Sequence, residues 1–240
     1  MFAMMDGLAR RDRQPEFMDQ PGLDRNEHAR ALAGLRRING ISGLAASLLA
    51  PIEKLARSLE GKPLQVLELA CGGGDTAIDL ALMSKRRGLA LKLHACDINP
   101  EAVQIAKANA HSRGVELEIF CADALASPDP EKDFDVVFCS LFLHHLSDAD
   151  AEQLLKVMAR RSRHLVLISD LIRSPLGYVL AWAGTRLLSR SWVVHTDGPL
   201  SVRAAFQMAE VRGMMKRADM QNGRLQRCWP ERYLLSWERN

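Results

Sequence analysis

The sequence predicts an α/β fold built on a mostly parallel sheet. Three observations carry that expectation. Short apolar runs recur between residues 64 and 169 and alternate with segments of helical periodicity. Strands that alternate with helices pair in parallel through right-handed crossovers, and a strand buried in such a sheet is apolar on both faces. Four of the runs end at a polar residue, Asp97, Asp123, Ser140 or Asp170. Open α/β sheets bind ligands beyond the carboxyl ends of their strands, where these four fall.

The elements follow in order. Residues 1–20 are polar, with Pro15 and Pro21 nearby, and read as a loose lead-in. Asp24 through Glu27 has the form of a capping box, with Asp24 as N-cap. Leu32, Leu35 and Ile38 follow at helical spacing, and Asn39-Gly40 is a stop signal. A second helix is expected over 42–59, with Leu44, Leu48, Ile52, Leu55 and Leu59 on one face and Pro51 kinking or dividing it. Residues 60–63 are a linker. Strands are expected over 64–69, 89–96, 115–121, 134–140 and 164–169. Helices are expected over 76–83, 100–112 and 148–161, with Pro100 suited to a first turn. Residues 128–133 are a polar approach to the fourth strand.

Beyond residue 171 the alternation breaks. Residues 176–188 are apolar and aromatic and read as a helix covering the cleft mouth, with a membrane-surface helix as the other reading. His195 through Pro199 reads as a polar turn, with Asp197 a partner for a histidine. Residues 201–218 read as a helix capped by Ser201. Residues 223–229 and 232–237 read as a terminal antiparallel pair.

Composition limits the function classes. A chain of 240 residues suits one α/β domain with decorated ends. A net charge of +3, with arginines scattered along the chain, argues against a nucleic-acid partner. Five cysteines without a CxxC pair read as reduced thiols, hence a cytoplasmic location, and not as a zinc finger or a disulfide framework. The charged start, with Asp6, Arg10, Arg11, Asp12 and Arg13, does not read as a signal peptide. No uncharged run approaches the roughly 20 residues of a membrane span.

The chemistry concentrates at Glu68 through Asp75. A strand ends in an acid and three glycines, Gly72, Gly73 and Gly74, and a helix begins at once. Glycines let a ligand lie against the backbone, and a helix N-terminus offers free N–H groups to it. The spacing is Ala70-x-Gly72-x-Gly74 rather than the G-x-G-x-x-G of dinucleotide folds, which disfavours a nicotinamide dehydrogenase. Glu68 and Asp75 repel a diphosphate and favour a cationic ligand. Asp97 stands about 23 residues beyond Gly74, a distance suited to gripping ribose hydroxyls, and Asp123 is suited to an adenine amino group.

Glu68-Leu-Ala-Cys-Gly-Gly-Gly-Asp75, Cys96-Asp-Ile-Asn-Pro100, Cys121-Ala-Asp-Ala124 and Phe134-Asp-Val-Val-Phe-Cys-Ser140 together resemble the class I S-adenosylmethionine-dependent methyltransferases. The resemblance covers about residues 63–169 and is nearest to the menaquinone and ubiquinone methyltransferase branch. It implies a Rossmann-like sheet and S-adenosyl-L-methionine as cofactor. By that resemblance Glu68 orients the methionine ammonium through the turn or a water, and Ala70, Gly72, Gly73 and Gly74 pass beneath the cofactor. Asp97 holds the ribose, Ile98 packs on adenine, Asp123 and Ala124 read its edge, and Ser140 lies near the methionine. Where the quinone enzymes carry an Arg-Asn pair after the fourth strand, this chain has His144-His145.

The expected function is methyl transfer to a small apolar acceptor, aromatic or polyketide-like, in a chain that is compatible with a homodimer. The alternative is a regulatory protein that binds the cofactor without turnover. His144, His145 and His195 are candidate bases for deprotonating an acceptor, against packing or capping roles for each. No metal is expected, because adjacent histidines diverge and no third ligand is evident. Asn39 with Arg36 or Arg37 is placed to reach the cofactor carboxylate. Cys71, Cys96, Cys121 and Cys139 either line the cleft or are small buried residues. Residues 1–62 form an N-terminal helical lid, and 63–240 the methyltransferase domain with a helical insertion at 171–205.

Overall fold

The computed structural model describes residues 8–20, 22–59, 62–126 and 134–239. Pro21, residues 1–7, Glu60 and Gly61 of the linker, and the approach at 128–133 lie outside the described residues. Seven strands are found among those described: β1 Leu64–Leu69, β2 Leu91–Asp97, β3 Glu118–Cys121, β4 Phe134–Ser140, β5 Ser162–Leu171, β6 Arg224–Cys228 and β7 Arg232–Glu238. They form one sheet in the order β3-β2-β1-β4-β5-β7-β6, in which β7 alone runs against the others, so that the β5–β7 and β7–β6 pairings are antiparallel and the rest parallel.

The helices are α1 Arg25–Ile41, α2 Leu44–Ser58, α3 Asp75–Arg86, α4 Pro100–Ser112, α5 Asp148–Arg161, α6 Pro175–Leu188, α7 Trp192–Ala204 and α8 Met208–Arg217. Two cores flank the sheet. Leu67, Leu69, Val137, Cys139, Val166 and Ile168 face α5 and α8, whereas Val66, Phe138, Leu165, Leu167 and Leu234 face α2 and α3. This two-sided burial is what makes β1, β4 and β5 read as continuous apolar runs.

The central elements stand where the sequence predicts them. β2 and β3 begin two and three residues late, and β5 runs past both expected ends, because Ser162 pairs with Phe134 of β4 at its start and Asp170 and Leu171 pair with β7 at its end. Asp24 caps α1 by accepting from the Asn26 and Glu27 amides, while Glu27 pairs with Arg30. Pro51 does not divide α2. Leu48, Leu49 and Ile52 around it are fully buried, and tertiary packing carries the helix through the missing N–H.

Two expectations are corrected. Residues 195–199 are not a turn but the middle of α7, and Ser201 lies inside that helix rather than capping a later one. Gly198 serves close packing: a Cβ there would stand 2.5 Å from Thr185 Cγ2 of α6. The following helix, α8, starts instead from a Gln207–Glu210 capping box.

Nor are residues 8–20 loose. The Arg11 guanidinium donates to the carbonyls of Ala204, His144 and Leu146 and lies 3.6 Å above the Phe206 ring. Arg13 donates to the His145 carbonyl, and the Phe17 and Met18 amides donate to Asp197. The segment is a strap across α7 and the turn after β4. Its polarity reflects bonding to carbonyls, a role that a hydropathy pattern does not reveal.

Gly198→Ala should force α6 and α7 apart. We expect a loss of about 1–3 kcal/mol in denaturant unfolding; an unchanged midpoint would show that the helices can separate without cost.

Candidate functional site

The site grows from the end of β1. Glu68 is 1% exposed. Its Oε2 accepts from the Ala77 amide in the first turn of α3 at 3.0 Å, and its Oε1 accepts from Ser140 Oγ at the end of β4, also at 3.0 Å. Thr76 Oγ1 stands 3.0 Å from the same Ser140 hydroxyl. One carboxyl thus ties β1, α3 and β4 together. Burial raises its pKa to about 8, although both hydrogen bonds oppose the shift.

Between Glu68 and α3 the chain turns through three positive φ values: +53° at Ala70, +51° at Gly72 and +76° at Gly74. At Gly74 a Cβ would stand 3.0 Å from Ala106 Cβ of α4, so glycine is required both for the backbone and for the space. Ala70 adopts the left-handed region with a side chain, where the commoner pattern has glycine. Leu141, just after Ser140, is likewise left-handed at +52°. Strained positions of this kind cluster at ligand sites. Asn109 of α4 donates to the Gly73 carbonyl at 2.9 Å and holds the turn from the other side.

The remaining predicted positions gather at the same sheet edge. Asp97 ends β2; its Oδ2 accepts from the Gly72 amide at 2.8 Å and its Oδ1 from the Asn99 amide at 2.9 Å. A carboxylate oxygen has two lone pairs, so both oxygens can still accept from a ribose diol. Ile98 beside it is 66% exposed, an apolar surface left uncovered where a ring can stack. Asp123 follows β3 and accepts from the Leu125 amide, with Ala124 buried next to it.

Among the described residues nothing stands within 4 Å of a Cβ built on Gly72, so they leave the surface above the turn open. Asp75 Oδ1 is buried with no hydrogen-bond partner among the described residues. Burial raises the Asp75 pKa, with Arg36 opposing. Arg36, Asn39, Asp75 and Thr76 line a cavity of about 190 Å³. An open glycine surface, an acid in want of a donor, a diol grip and an exposed apolar platform suit a nucleoside carrying a cationic amino-acid tail.

Residues 66–164 match the model of a methyltransferase domain. The chain is 36% identical over 112 residues to a demethylmenaquinone methyltransferase of Thermus thermophilus, an alignment covering 46% of this chain and 49% of that protein. It is 26% identical over 191 residues to a ubiquinone biosynthesis O-methyltransferase of Xanthomonas euvesicatoria, covering 77% and 76%. Magnesium protoporphyrin IX methyltransferase from Synechocystis, solved with bound SAH, shares the fold with a TM-score of 0.58 at 16% identity, over 100% of this chain and 94% of that one. Residues 66–164 thus carry a methyltransferase domain, and the fold around it is that of the class I S-adenosylmethionine-dependent methyltransferases. The chain's match spans about half the length of the Thermus relative.

The cofactor of this methyltransferase is S-adenosylmethionine, and the edge just described has the donors and acceptors that fit it. Beyond Ser140 lie the candidate bases. His144 is buried; its Nδ1 donates to Asp170 Oδ1 at 2.7 Å, and its amide donates to Oδ2. Burial alone would lower the His144 pKa, but Asp170 and then Glu16 outweigh it and hold the ring above its ordinary value. Asp170 in turn is kept below the usual carboxylate range against its burial, first by the charge of His144. His145 behaves oppositely. Burial, with His144⁺ beside it, pushes its pKa down to about 3, so its ring is neutral at physiological pH.

The two rings do not diverge as expected: their centroids are 4.2 Å apart and tilted by 34°. A third group also stands by, because Glu16 of the strap brings Oε1 to 3.8 Å from His144 Nε2. That proximity depends on a segment far away in sequence. His144 is already committed to Asp170 through Nδ1, and Glu16 accepts from the Ser201 hydroxyl.

His195 lies apart from this pair. Its Nε2 is 2.9 Å from the Ser189 carbonyl, and Asp197 does not hold its tautomer. Residues two apart on a helix point to different faces, and Asp197 instead accepts from the Phe17 and Met18 amides of the strap. Arg37 donates to the Leu188 carbonyl and Asn39 accepts from Arg232, so of the three expected carboxylate partners Arg36 alone lines the cavity without such a bond to a described residue.

Of the four strand-end cysteines, Cys71, Cys96 and Cys139 are buried, and burial raises each thiol pKa; Cys121 is exposed. The small-buried-residue reading holds for the first three.

Ala70→Gly should raise stability by up to about 1 kcal/mol, because it relieves the left-handed strain at the cost of unfolded-state entropy. Gly74→Ala should lower it by about 2–3 kcal/mol through strain plus the contact with Ala106. Denaturant melts check both; equal midpoints for the two variants would contradict the turn geometry.

Proposed function

We propose that this methyltransferase moves the methyl group of S-adenosylmethionine to a small, largely apolar acceptor, aromatic or polyketide-like. The observation that carries the reading is the pairing of a cationic-ligand cradle at β1 with a neutral, half-buried His145 just past β4. Relatives named for demethylmenaquinone, ubiquinone biosynthesis and magnesium protoporphyrin IX are compatible with a flat acceptor.

When bound, the cofactor supplies the electrophilic methyl carbon of a sulfonium. The chain supplies position and electrostatics. Asp97 takes the ribose hydroxyls, Ile98 the adenine face, and Asp123 with the Ala124 amide the adenine edge. Ala70, Gly72, Gly73 and Gly74 form the surface under the cofactor. Glu68 acts through the turn, holding Ala77 and Ser140, while Asp75 faces the ammonium.

His145 is the candidate base: its ring is neutral, and it takes the acceptor's proton only as the developing acceptor anion beside it raises its pKa from about 3. His144, held by Asp170, is its positioning residue, and its positive charge favours the neutral form of His145. His195 we assign to the lid, because its ring is committed to Ser189. The N-terminal segment at 1–62, of which α1, α2 and the strap are described, and the insertion at 171–205 form two lids. Support comes from the strap that joins them and from a small apolar cluster in which Ala31, Leu35 and Ile38 of α1 meet Val193 and Val194 of α7.

Tritium transfer from the labelled methyl group to a panel of phenols, quinone precursors and polyketide acids tests the reading. We expect label in an aromatic or polyketide member. Asp97→Ala should abolish cofactor binding by calorimetry. His145→Ala should cut turnover by about 10²–10⁴ while leaving cofactor affinity in place. Cofactor binding without transfer to any member would favour the regulatory alternative, and no binding at all would end both.

Glu68 adds a pH signature. Its carboxyl is neutral below about pH 8 in the free protein. A cationic ligand stabilises the ionised form, lowers that pKa and releases a proton on binding. Cofactor affinity should therefore rise as pH climbs towards about 8 and level off above it. Calorimetry in buffers of different ionisation enthalpy should register the released proton, and Glu68→Gln should remove it. An affinity flat across that range would rule out the linkage.

A further inference from the structure

The sheet face that carries Glu68 and Ser140 continues as a polar seam towards β7. Ser140 pairs in register with Ser169 of β5, Ser169 with Leu234 of β7, and Leu171 with Arg232. Residues two apart on a strand share a face. Ser140, Ser169 and Arg232 therefore lie on the face of Phe138, Leu167 and Leu234, the side covered by α2.

Two members of this seam are unsatisfied. Ser169 is fully buried, and its Oγ has no hydrogen-bond partner among the described residues. Arg232 is 4% exposed. Its Nη2 donates to Asn39 Oδ1 at 2.8 Å, but Nε and Nη1 have no partner there. Burial draws its pKa down to about 10, with Asp170 opposing from a distance. Asp170 does not neutralise it directly, since its oxygens serve His144 and the Leu171 amide.

A buried guanidinium with unmade hydrogen bonds is costly, and an apolar residue of like size would remove that cost. The place of Arg232 gives the cost a use. Its anchor, Asn39, lines the cavity beside Asp75 and Thr76. Arg232 itself stands two strands beyond Ser140, about 10 Å across the sheet. With Ser140 near the methionine, as the proposed cofactor placement has it, Arg232 lies on the side left for an acceptor. Arg36, which lines the cavity itself, is the better placed cation for the cofactor carboxylate.

We propose that Arg232, held by Asn39 and joined by the Ser169 hydroxyl, binds an anionic oxygen of the methyl acceptor, a carboxylate or an ionised hydroxyl. The proposal rests on the methyl-transfer reading above and narrows its acceptor to molecules with an acidic oxygen. A planar guanidinium matches such oxygens well.

The test uses the full chain loaded with SAH, whose own affinity is measured first by calorimetry. Three probes follow at constant ionic strength: 4-hydroxybenzoate, 4-nitrophenolate and the neutral 4-hydroxybenzamide. At least one anion should bind about tenfold more tightly than the amide, an effect in the range of a hydrogen bond to a charged group, and the preferred anion identifies the source. Arg232→Met should keep SAH affinity and thermal stability and lose the preference. Asn39→Asp supplies the missing carboxylate, so it should raise Tm and weaken anion binding. Equal binding of all three probes, or a lower Tm in Asn39→Asp with the preference intact, would overturn the subsite. Loss of SAH binding in the unaltered protein would instead condemn the methyl-transfer reading.

Discussion

The buried carboxyl of Glu68 is the constraint on which the site depends. Its two oxygens join three elements that the chain delivers separately: the end of β1, the first turn of α3 and the end of β4. Each link has a cost. Burying the group shifts it towards its neutral form, and the turn around it tolerates a left-handed Ala70. In return, the glycine surface, the α3 N-terminus and Ser140 are held as one unit. A site that must hold a cationic ligand gains from having its acid ordered beforehand, because preorganisation lowers the cost of binding.

The parallel core was legible because its physics is local. A strand buried on both faces is apolar along its length, and β1 and β4 were placed to the residue. Pro100 and Asp148 opened their helices as expected. That the expected positions gather at one edge of the sheet was legible for a different reason: Gly74, Asp97 and Asp123 lie at or just past the ends of strands β1, β2 and β3, which the apolar pattern marks. What stayed hidden was set by contacts between distant segments. Gly198-Pro199 carries the local signature of a turn, yet Thr185 makes Gly198 a packing residue. The strap at 8–20 looks like a polar leader because its arginines bond to carbonyls more than 130 residues away.

The acceptor side shows the same limit. Two adjacent histidines in a sequence are equivalent, and only the fold distinguishes them. Asp170, already visible as a strand end, meets His144 because β4 and β5 are neighbours. His145 is lowered first by its burial and then by the neighbouring His144 ring, with Asp170 opposing. Burial thus acts on both rings, and the contact with Asp170 reverses its effect at His144 alone. The signal that would have found this was the spacing of strand ends, read together with the strand order.

Arg232 extends this logic from catalysis to recognition. The fixed cation at the far end of the seam and the fixed acid near the glycine turn have opposite preferences. On the proposed reading, a ligand that is cationic at one end is drawn to Asp75 and repelled from Arg232, and an anionic acceptor is sorted the other way. Both interactions occur where water is largely excluded, so they act with more force than the same charges on the surface. Two ligands that must meet in line at one carbon are thereby oriented before either lid contributes a contact. On the proposed reading the lids have a narrower task than selecting the acceptor's charge: they exclude water and shape the apolar volume. Of the helices that would build them, α1 and α6 follow the sequence pattern, and α7 alone departs from it because its packing on α6 overrides a local turn signature.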